Sequence, residues 1–435
     1  MKQSIYNTTV RIGKNDVLYN TISNRHIVLT DNIKDALACK AETPISSVLE
    51  ANNFLVKDDV DEKRMVENLM LQRRYSSKIY QLTINTSLDC NLCCWYCYET
   101  HSKKTYMSID MAKRILQHLE IKCETNPFKV LSLSFFGGEP LINYKVIEYI
   151  LTEIKTLSKK YKFQIRLGIV TNGTLITSKY LELFKGFEID FQITIDGNKD
   201  NHNNTRKYKN KNTQQNSYEK IIENLKLLSS TKENFHFIIR VNYTTETLKS
   251  ISTLIADLRF LDKKKTVFSL QRVWQHQATQ EDVLLLMDAI NYINSLGYIV
   301  DSYSLDTSFQ NCYADNFNQA VINYDGSVFK CTAKNFAKER PTGKLNSMGI
   351  IEWNIPEIHQ RMSLEIPNEC KDCILLPSCK SICSQTKLDA ENYKKITCPF
   401  ENDITKDNII RLNIKQQLIY KRDEKESNYA VDATR

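Results

Sequence analysis

The sequence lacks the features of an exported or membrane-embedded protein. Its first residues, MKQSIYNTTVRIGKNDVLYN, contain no apolar stretch of the kind found in signal peptides. No window approaches the roughly 18 uninterrupted apolar residues that a bilayer-spanning helix needs. These absences predict a cytoplasmic protein with no membrane partner.

A strong charge of one sign is also missing. The 59 Lys and Arg residues exceed the 51 Asp and Glu residues by only eight in a chain of 435. A solvated, Lys- and Asn-rich surface accounts for this excess. The sequence has no distinct RNA-binding module and no patch of interleaved basic and aromatic residues, so nucleic acid is not an expected partner. The length allows two or three domains and a core that needs no disulfides.

Cysteine is the residue that stands out. Thirteen cysteines in a chain expected in the cytoplasm are poorly explained as disulfides, because cytosolic thiols are kept reduced. Metal or cluster ligation is the better interpretation. Four of them lie in LDCNLCCWYCYET, where Cys90, Cys94 and Cys97 form C-x3-C-x2-C and Cys93 sits beside Cys94.

The spacing of these cysteines favours an iron–sulfur cluster over zinc. A zinc ribbon usually joins two C-x2-C knuckles from separate hairpins. Here the two knuckles would share the Cys93–Cys94 junction, which leaves little chain to wrap a tetrahedral ion. Three thiolates from one loop can instead hold three irons of a [4Fe–4S] cube, and the fourth iron then has no protein ligand.

This loop resembles the signature of the radical SAM superfamily, which is C-x3-C-x2-C with an aromatic residue, here Tyr96, before the last cysteine. The resemblance implies that the open iron chelates S-adenosylmethionine (SAM). One electron from the cluster would then cleave SAM to a 5′-deoxyadenosyl radical. Cys90, Cys94 and Cys97 would be the catalytic cluster ligands, while Cys93 has no role in the motif.

The sequence around this loop predicts an α/β fold. Apolar, β-branched runs alternate with segments of helical periodicity, which is typical of a parallel sheet covered by helices. Six such units match the partial (β/α)6 barrel that the resemblance implies. The predicted strands are 80–88, 130–136, 163–170, 187–195, 234–243 and 266–274; the predicted helices are 111–121, 144–161, 178–187, 218–230 and 248–261.

Distinctive loops follow the second, third and fourth predicted strands. They are FFGGEP (135–140), VTNGT (170–174) and TIDG (194–197). Each alone is explained as a glycine turn. Because parallel barrels carry their chemistry at the carboxyl ends of the strands, three such loops together favour one shared site.

The resemblance implies roles for residues of these loops. The GGEP loop would receive the amino group of SAM, and the next two loops would bind its ribose or carboxylate. Arg206, in a polar loop after the fourth strand, would pair with the SAM carboxylate through its planar guanidinium. The candidate SAM-binding residues are Tyr96, Gly137, Gly138, Glu139, Asn172, Thr194, Asp196 and Arg206.

A second group of cysteines follows the barrel. The pattern is C-x13-G-x4-C, then C-x2-C-x5-C-x3-C, then a last cysteine. Structural zinc would use four closely paired ligands per site. The pattern resembles the seven-cysteine SPASM extension, which implies two auxiliary clusters and three [4Fe–4S] clusters in all. By resemblance, the outer cluster would use Cys370, Cys373, Cys379 and Cys398, and the inner one Cys312, Cys331 and Cys383.

Seven cysteines leave the inner auxiliary cluster with one open iron. Cys39, Cys93 and Cys123 are spare thiols that are not expected to fill the position. Between Cys312 and Cys331, Asp325-Gly326 predicts a two-residue hairpin turn.

Residues 1–75 differ in pattern from the alternating strands and helices that follow them. Short alternating strands precede two short helices, and an apolar strand, an acidic turn and a basic helix follow. The order suits a winged-helix module and resembles the precursor-recognition elements of SPASM peptide maturases, which add a leader peptide to a sheet edge. A plain N-terminal cap is the alternative.

These patterns predict a SPASM-type radical SAM maturase. We expect a winged-helix-like module at 1–78, a radical SAM partial barrel at 79–305, a SPASM domain at 306–405 and a helical or disordered tail at 406–435. The partners would be a precursor peptide with a leader and an electron donor such as flavodoxin or ferredoxin. The product would be a thioether or carbon–carbon crosslink; the alternatives are sulfatase-type side-chain oxidation, peptide epimerisation and RNA modification.

Overall fold

The structure is a computed structural model that describes residues 1–38, 43–213, 215–277, 279–302, 305, 312–379, 383–389, 398 and 405–432. The chain divides into two compact units. We call residues 1–76, 303–317 and 360–435 the terminal unit, and residues 77–302 and 318–359 the sheet unit. The division into four segments at 78, 305 and 405 stays a prediction. Cys39 lies outside the described residues.

The terminal unit begins with the strands and helices that the N-terminal pattern predicts. A capping box at Thr43 and the Asp61 side chain, which accepts from Arg64 N, begin its second and third helices. The elements are β1 (Lys2–Gln3), β2 (Asn7–Ile12), β3 (Asn15–Asn20), β4 (Arg25–Val28), α1 (Asp31–Ala38), α2 (Pro44–Ala51), β5 (Leu55–Val56) and α3 (Glu62–Arg74). The central strand β3 pairs antiparallel with β2 and β4, and β1 pairs with β5.

The sheet unit is built on one mixed sheet. Its strands are β6 (Ile79–Ser87), β7 (Val130–Gly137), β8 (Gln164–Thr171), β9 (Ile189–Thr194), β10 (Phe235–Tyr243), β11 (Thr266–Arg272), β12 (Ile299–Val300), β13 (Gln319–Ile322), β14 (Ser327–Phe329), β15 (Gly343–Leu345) and β16 (Ile351–Trp353). Within the described ranges, the strand order is β12-β11-β10-β9-β8-β7-β6-β13-β14-β15-β16. Pairing is parallel from β12 to β13 and antiparallel from β13 to β16.

Helices follow each of the strands β6 to β11, so the predicted alternation of strands and helices is confirmed. They are α4 (Ile109–Thr125), α5 (Tyr144–Tyr161), α6 (Ser178–Phe184), α7 (Lys199–Thr205), α8 (Ser217–Ser229), α9 (Thr245–Lys249), α10 (Ile251–Asp257) and α11 (Gln280–Ser295). Amphipathic sequence patterns favour these helices; α4, for example, is capped by Ser108 and buries Ile115 and Leu119 completely.

The remaining helices lie towards the C-terminus. They are α12 (Ile355–Met362), α13 (Asn368–Lys371), α14 (Ser384–Asp389) and α15 (Lys406–Asp432). Ile409, Ile410 and Ile414 of α15 are almost fully buried, which explains why the tail segment is helical here. No described helix combines the length and the apolar character needed to cross a bilayer.

Two local predictions differ from the structure. The helix predicted at 248–261 is divided into α9 and α10 at Ser250, whose hydroxyl bonds to the Thr247 carbonyl. The Asp325-Gly326 hairpin has a three-residue loop, because Asn323 N donates to Ser327 O and Gly326 takes a positive φ of 84°. This is the longer hairpin connection with a left-handed glycine.

Candidate active site

The cysteine loop follows β6 at the carboxyl end of the parallel sheet, and the GGEP loop packs directly against its start. Gly138 N donates to Ser87 O at 3.0 Å, and Glu139 N donates to Asp89 O at 2.9 Å. A Cβ on Gly137 would lie 2.2 Å from Ser87 O, and one on Gly138 would lie 2.4 Å from Asp89 O. The two glycines are therefore required for contact between the two loops, in addition to any approach of a ligand.

Glu139 joins the GGEP loop to the end of β8. Its fully buried carboxylate accepts from Thr171 Oγ1 at 2.7 Å, from Asn172 N at 2.7 Å and from Leu141 N at 3.1 Å. Burial raises the pKa of this carboxyl to about 6, although the three hydrogen-bond donors lower it. A carboxylate has about four acceptor sites, so one remains for an ammonium group.

The Cys90 thiol is buried among hydrogen-bond donors. Leu92 N lies 3.4 Å and Asn172 Nδ2 lies 3.8 Å from its sulfur. Burial and the nearby Glu139 raise the pKa of Cys90 to about 12. The thiol is therefore neutral in the metal-free chain, and iron must displace its proton when it binds.

The middle of the cysteine loop pairs with the chain just after Arg206. Cys93 N donates to Lys207 O at 2.8 Å, and Lys209 N donates to Asn91 O at 2.9 Å. Cys93 is exposed and its thiol points to the Lys207 carbonyl, 3.4 Å away. This position agrees with the prediction that Cys93 is not a ligand, but does not test it.

The phenol oxygen of Tyr96 connects three segments of the site. It accepts from Arg206 Nη1 at 2.7 Å and from Asn242 Nδ2 at 3.0 Å, and it donates to the Asp196 carboxylate. Asp196 also accepts from Asn242 N at 2.9 Å. Tyr96, Asp196 and Arg206 are thus brought together in one hydrogen-bonded network.

This network is buried and charged. Arg206 and Asp196 are 7% and 2% exposed, and their charged atoms approach to 3.9 Å. Burial raises the pKa of Asp196, and the Arg206 guanidinium opposes that rise. Arg206 Nε is buried without a partner among the described residues. Because buried donors are almost always paired, this nitrogen indicates that the polypeptide alone does not complete the site.

Cys97 is paired with a histidine that the sequence pattern did not single out. His101 Nε2 lies 3.2 Å from the Cys97 sulfur, and Nδ1 lies 3.1 Å from the Leu88 carbonyl. Burial raises the pKa of Cys97 to about 11. No sequence signal marks His101. Asn242 is a different case, because it lies at the carboxyl end of β10, where the sequence pattern also predicts site residues on the other parallel strands.

Thr194 is the last residue of β9 and lies beside Arg240 in the parallel register with β10. It is 9% exposed, and the structure gives its hydroxyl no bond to the Tyr96 network. Asn172 bonds instead to Asn91 Oδ1 at 2.8 Å, and Asn91 also donates to Thr174. Apart from Thr194, the predicted SAM-binding residues therefore form two groups, around Glu139 and around Tyr96.

The second group of cysteines is distributed over both units. Cys331 follows β14 in the sheet unit, and Ala333 N lies 3.3 Å from its sulfur. In the terminal unit a series of tight turns carries three cysteines, with Cys373 N bonded to Cys370 O and Cys379 N to Leu375 O. Cys312, Cys383 and Cys398 also belong to the terminal unit.

The donor set fits an iron–sulfur cluster. Among the described residues, no three Cys, His, Asp or Glu side chains are drawn together closely enough to define a metal site by distance. The fit therefore rests on chemistry. Cys90, Cys94 and Cys97 lie in a single loop. Burial raises the pKa of the Cys94 thiol, and the positive charge of Arg206 partly opposes that rise. A cation and amide donors around sulfur suit the negative charge of a thiolate-bound cluster.

Comparison with known proteins agrees with this chemistry. Residues 84–258 match the Radical SAM superfamily. The radical SAM cyclopropyl synthase TigE of Paramaledivibacter caminithermalis is 25% identical over 353 residues, which cover 74% of this chain and 70% of TigE. The cysteine-type anaerobic sulfatase-maturating enzyme of Clostridium novyi is 25% identical over 333 residues, which cover 69% of this chain and 86% of that enzyme.

Solved structures share the fold. Streptococcus suis SuiB bound to precursor peptide SuiA aligns with a TM-score of 0.54 at 15% identity, covering 90% of this chain and 98% of SuiB. The enzyme anSMEcpe with bound AdoMet and Cp18Cys peptide aligns with a TM-score of 0.55 at 17% identity, covering 81% of this chain and 99% of that one.

The chain contains a radical SAM domain over residues 84–258, and it is an enzyme. Its relatives include SPASM-type radical SAM maturases. This domain implies SAM and a [4Fe–4S] cluster as cofactors.

Proposed function

We propose that this enzyme is a SPASM-type maturase that modifies a ribosomally made precursor peptide and forms a thioether or carbon–carbon crosslink. One combination of features carries the proposal: a cysteine loop after β6, and a tightly turned loop with Cys370, Cys373 and Cys379. The similarity to sulfatase-maturating enzymes and to SuiB, which is solved with a precursor peptide, supports a peptide substrate.

Residues of the chain hold the cofactors in this proposal. Cys90, Cys94 and Cys97 bind the catalytic cluster, and the seven later cysteines bind two auxiliary clusters. SAM bound at the catalytic cluster supplies a 5′-deoxyadenosyl radical that removes one hydrogen atom from the peptide. The free acceptor site of Glu139 suits the SAM amino group, and the unpaired Nε of Arg206 suits its carboxylate.

Crosslinking removes two hydrogen atoms from the peptide in total. The radical takes the first, and the second leaves as a proton while one electron remains to be accepted. Auxiliary clusters suit this role, since clusters exchange single electrons. Flavodoxin or ferredoxin would supply the electron that begins each cycle, and a cytoplasmic location would keep the thiols reduced.

The edge of β4 suits the leader of the precursor. Among the described strands, β4 pairs only with β3. Leu29 N donates to Asp16 O across the ladder, so the N–H of Val28, one residue earlier, points away from β3. Val28 is also 43% exposed, so an extended peptide added there gains both a hydrogen-bond donor and an apolar contact.

Side-chain oxidation is the second candidate function. The sulfatase-maturating relative, which this chain matches over 86% of that enzyme's length, favours it. The two functions differ in their requirement for a leader, because only the crosslinking proposal gives the β4 edge a role. Epimerisation would leave the mass of the peptide unchanged and incorporate one solvent-derived hydrogen.

The test uses the anaerobically reconstituted enzyme with SAM, dithionite and synthetic peptides from short reading frames next to its gene. Formation of 5′-deoxyadenosine, together with a peptide that has lost two hydrogen atoms and whose fragment masses show a new thioether or carbon–carbon bond, would support the proposal. Oxidation of a Ser or Cys side chain without a leader would favour the second candidate. SAM cleavage with modification of RNA but of no peptide would contradict both.

A further inference from the structure

The hydroxyl of Tyr6 is a buried donor without a protein partner. Tyr6 is 2% exposed, and its Oη has no hydrogen-bond partner among the described residues. Its ring packs in an apolar cluster with Ile22, Val66, Met70 and Leu376. Buried hydroxyls almost always find an acceptor, so this one indicates an acceptor that the polypeptide does not supply.

The surroundings of Tyr6 include the cysteine-bearing loop of the terminal unit. Cys370 packs against the same apolar cluster. The pKa of Tyr6 is raised to about 12, first by burial, then by Glu62 and Glu67, and also by Cys373 and Asp372. Tyr6 is therefore within electrostatic range of a residue that we propose as an auxiliary cluster ligand.

The charged group with the largest influence on Tyr6 does not accept a hydrogen bond from it. Glu62 is buried and has the largest influence of any charged group on Tyr6. Its carboxylate accepts instead from Ser4 Oγ and, at 2.9 Å, from Ile5 N. Glu67 and Asp372 also influence Tyr6, and neither accepts from its hydroxyl; the remaining group, Cys373, is the one that we propose as a cluster ligand.

The same loop is held by the turn between β3 and β4. Thr21 is fully buried, and its hydroxyl donates to Ile374 O at 2.6 Å. Ser378 Oγ donates back to Thr21 O. Ile374 directly follows Cys373 and Ser378 directly precedes Cys379, so the two bonds fix the chain between two cysteines.

We propose that the N-terminal module forms one wall of the outer auxiliary cluster site: Thr21 holds the loop of Cys370, Cys373 and Cys379, and Tyr6 donates a hydrogen bond to a sulfur of that cluster. This inference rests on the proposed function, in which these cysteines bind a cluster. Hydrogen bonds to cluster sulfurs set reduction potentials, so the module that is proposed to receive the precursor also tunes an electron acceptor.

Tyr6→Phe tests the hydrogen bond, because it keeps the packed ring and removes only the hydroxyl. Tyr75→Phe is the matched control, since Tyr75 belongs to the same unit and is 44% exposed. Iron and sulfide content, and midpoint potentials from redox titration followed by electron paramagnetic resonance, are measured on the reconstituted enzyme. We expect unchanged iron in both variants and a more negative potential for one auxiliary cluster in Tyr6→Phe only. Unchanged potentials in Tyr6→Phe would overturn the inference.

Thr21→Val tests the hold on the loop, with Thr9→Val on the exposed face of β2 as its control. We expect a chelator to remove the iron of one cluster several-fold faster from Thr21→Val than from wild type or from the control. Equal release rates would contradict this part of the inference. A wild-type enzyme that binds iron for one cluster only would refute the auxiliary clusters themselves, which separates failure of the proposed function from failure of this inference.

Discussion

Tyr96 and Arg206 form a partly buried contact in which the phenol oxygen accepts a hydrogen bond from Arg206 Nη1 at 2.7 Å. The contact joins the cysteine loop to the segment after α7, two regions separated by 110 residues in sequence. Because Asn242 also donates to Tyr96, the loop is attached to the end of β10 as well.

Removing this phenol oxygen is expected to weaken the site without removing the cluster. Tyr96→Phe deprives a buried guanidinium of an acceptor, and a hydrogen bond to a charged group contributes about 1.5–3 kcal/mol. We expect a comparable loss in the free energy of unfolding and weaker SAM binding, with iron content unchanged. Calorimetry and denaturant titration measure both. Tyr106→Phe, at an exposed tyrosine bonded to Asp89, should change stability by less than about 0.5 kcal/mol.

Substitution by Ala should have opposite effects on iron content and SAM cleavage at the neighbouring residues Cys93 and Cys94. Cys94→Ala removes a proposed ligand, so we expect the loss of about four of about 12 irons per chain and no SAM cleavage. Cys93→Ala removes an exposed thiol that bonds to the Lys207 carbonyl, and it should retain both. Iron assay and chromatography of 5′-deoxyadenosine measure the difference. An inactive Cys93→Ala enzyme with normal iron would refute the ligand assignment.

The leader-binding edge is best tested by a point substitution. Deleting the N-terminal module would expose Leu376 and its neighbours Ile366 and Cys370, which belong to a core that the module shares with the C-terminal part of the terminal unit. Val28→Pro instead removes one outward N–H, and a backbone hydrogen bond contributes about 1 kcal/mol. We expect about fivefold weaker binding of a labelled leader peptide, measured by fluorescence anisotropy. Val28→Ala keeps the N–H, so equal affinities of the two variants would exclude strand addition at β4.

Sequence patterns were sufficient for the strands and for the order of the site loops. The run at 130–136 is strand β7 over Val130–Gly137, because alternating apolar residues at 131, 133 and 135 are fully buried. Gly137 and Gly138 were expected to face a ligand, and their closest neighbours are the carbonyls of Ser87 and Asp89. That role depends on how two loops pack, which no local pattern contains.

Contacts between distant residues could not be obtained from the sequence. Asn242 and Tyr96 meet because parallel register brings the end of β10 near the cysteine loop. The Cys97–His101 pair depends on the conformation of a loop without regular structure. Tyr6 is an ordinary apolar position in the sequence, and only burial without an acceptor distinguishes it. The sequence thus predicts which elements carry chemistry, and packing decides which atoms meet.

The last prediction concerns the stability of the metal-free chain in acid. His118 is 8% exposed, with Nδ1 3.0 Å from Gly349 O and Nε2 2.7 Å from Tyr80 Oη. Burial lowers its pKa from 6.5 to about 4. Between these two pH values the unfolded chain binds more protons at this histidine than the folded chain does. The contribution of neutral His118 to the free energy of unfolding is therefore fully present above pH 6.5 and is lost as the pH falls to about 4. The loss attributable to His118 is about 3 kcal/mol.

Denaturant titrations at several pH values across this range measure the effect. The free energy of unfolding should depend less steeply on pH in His118→Gln, whereas His359→Gln, at an exposed position, should keep the wild-type slope. Equal slopes for His118→Gln and wild type would show that another group controls the acid transition.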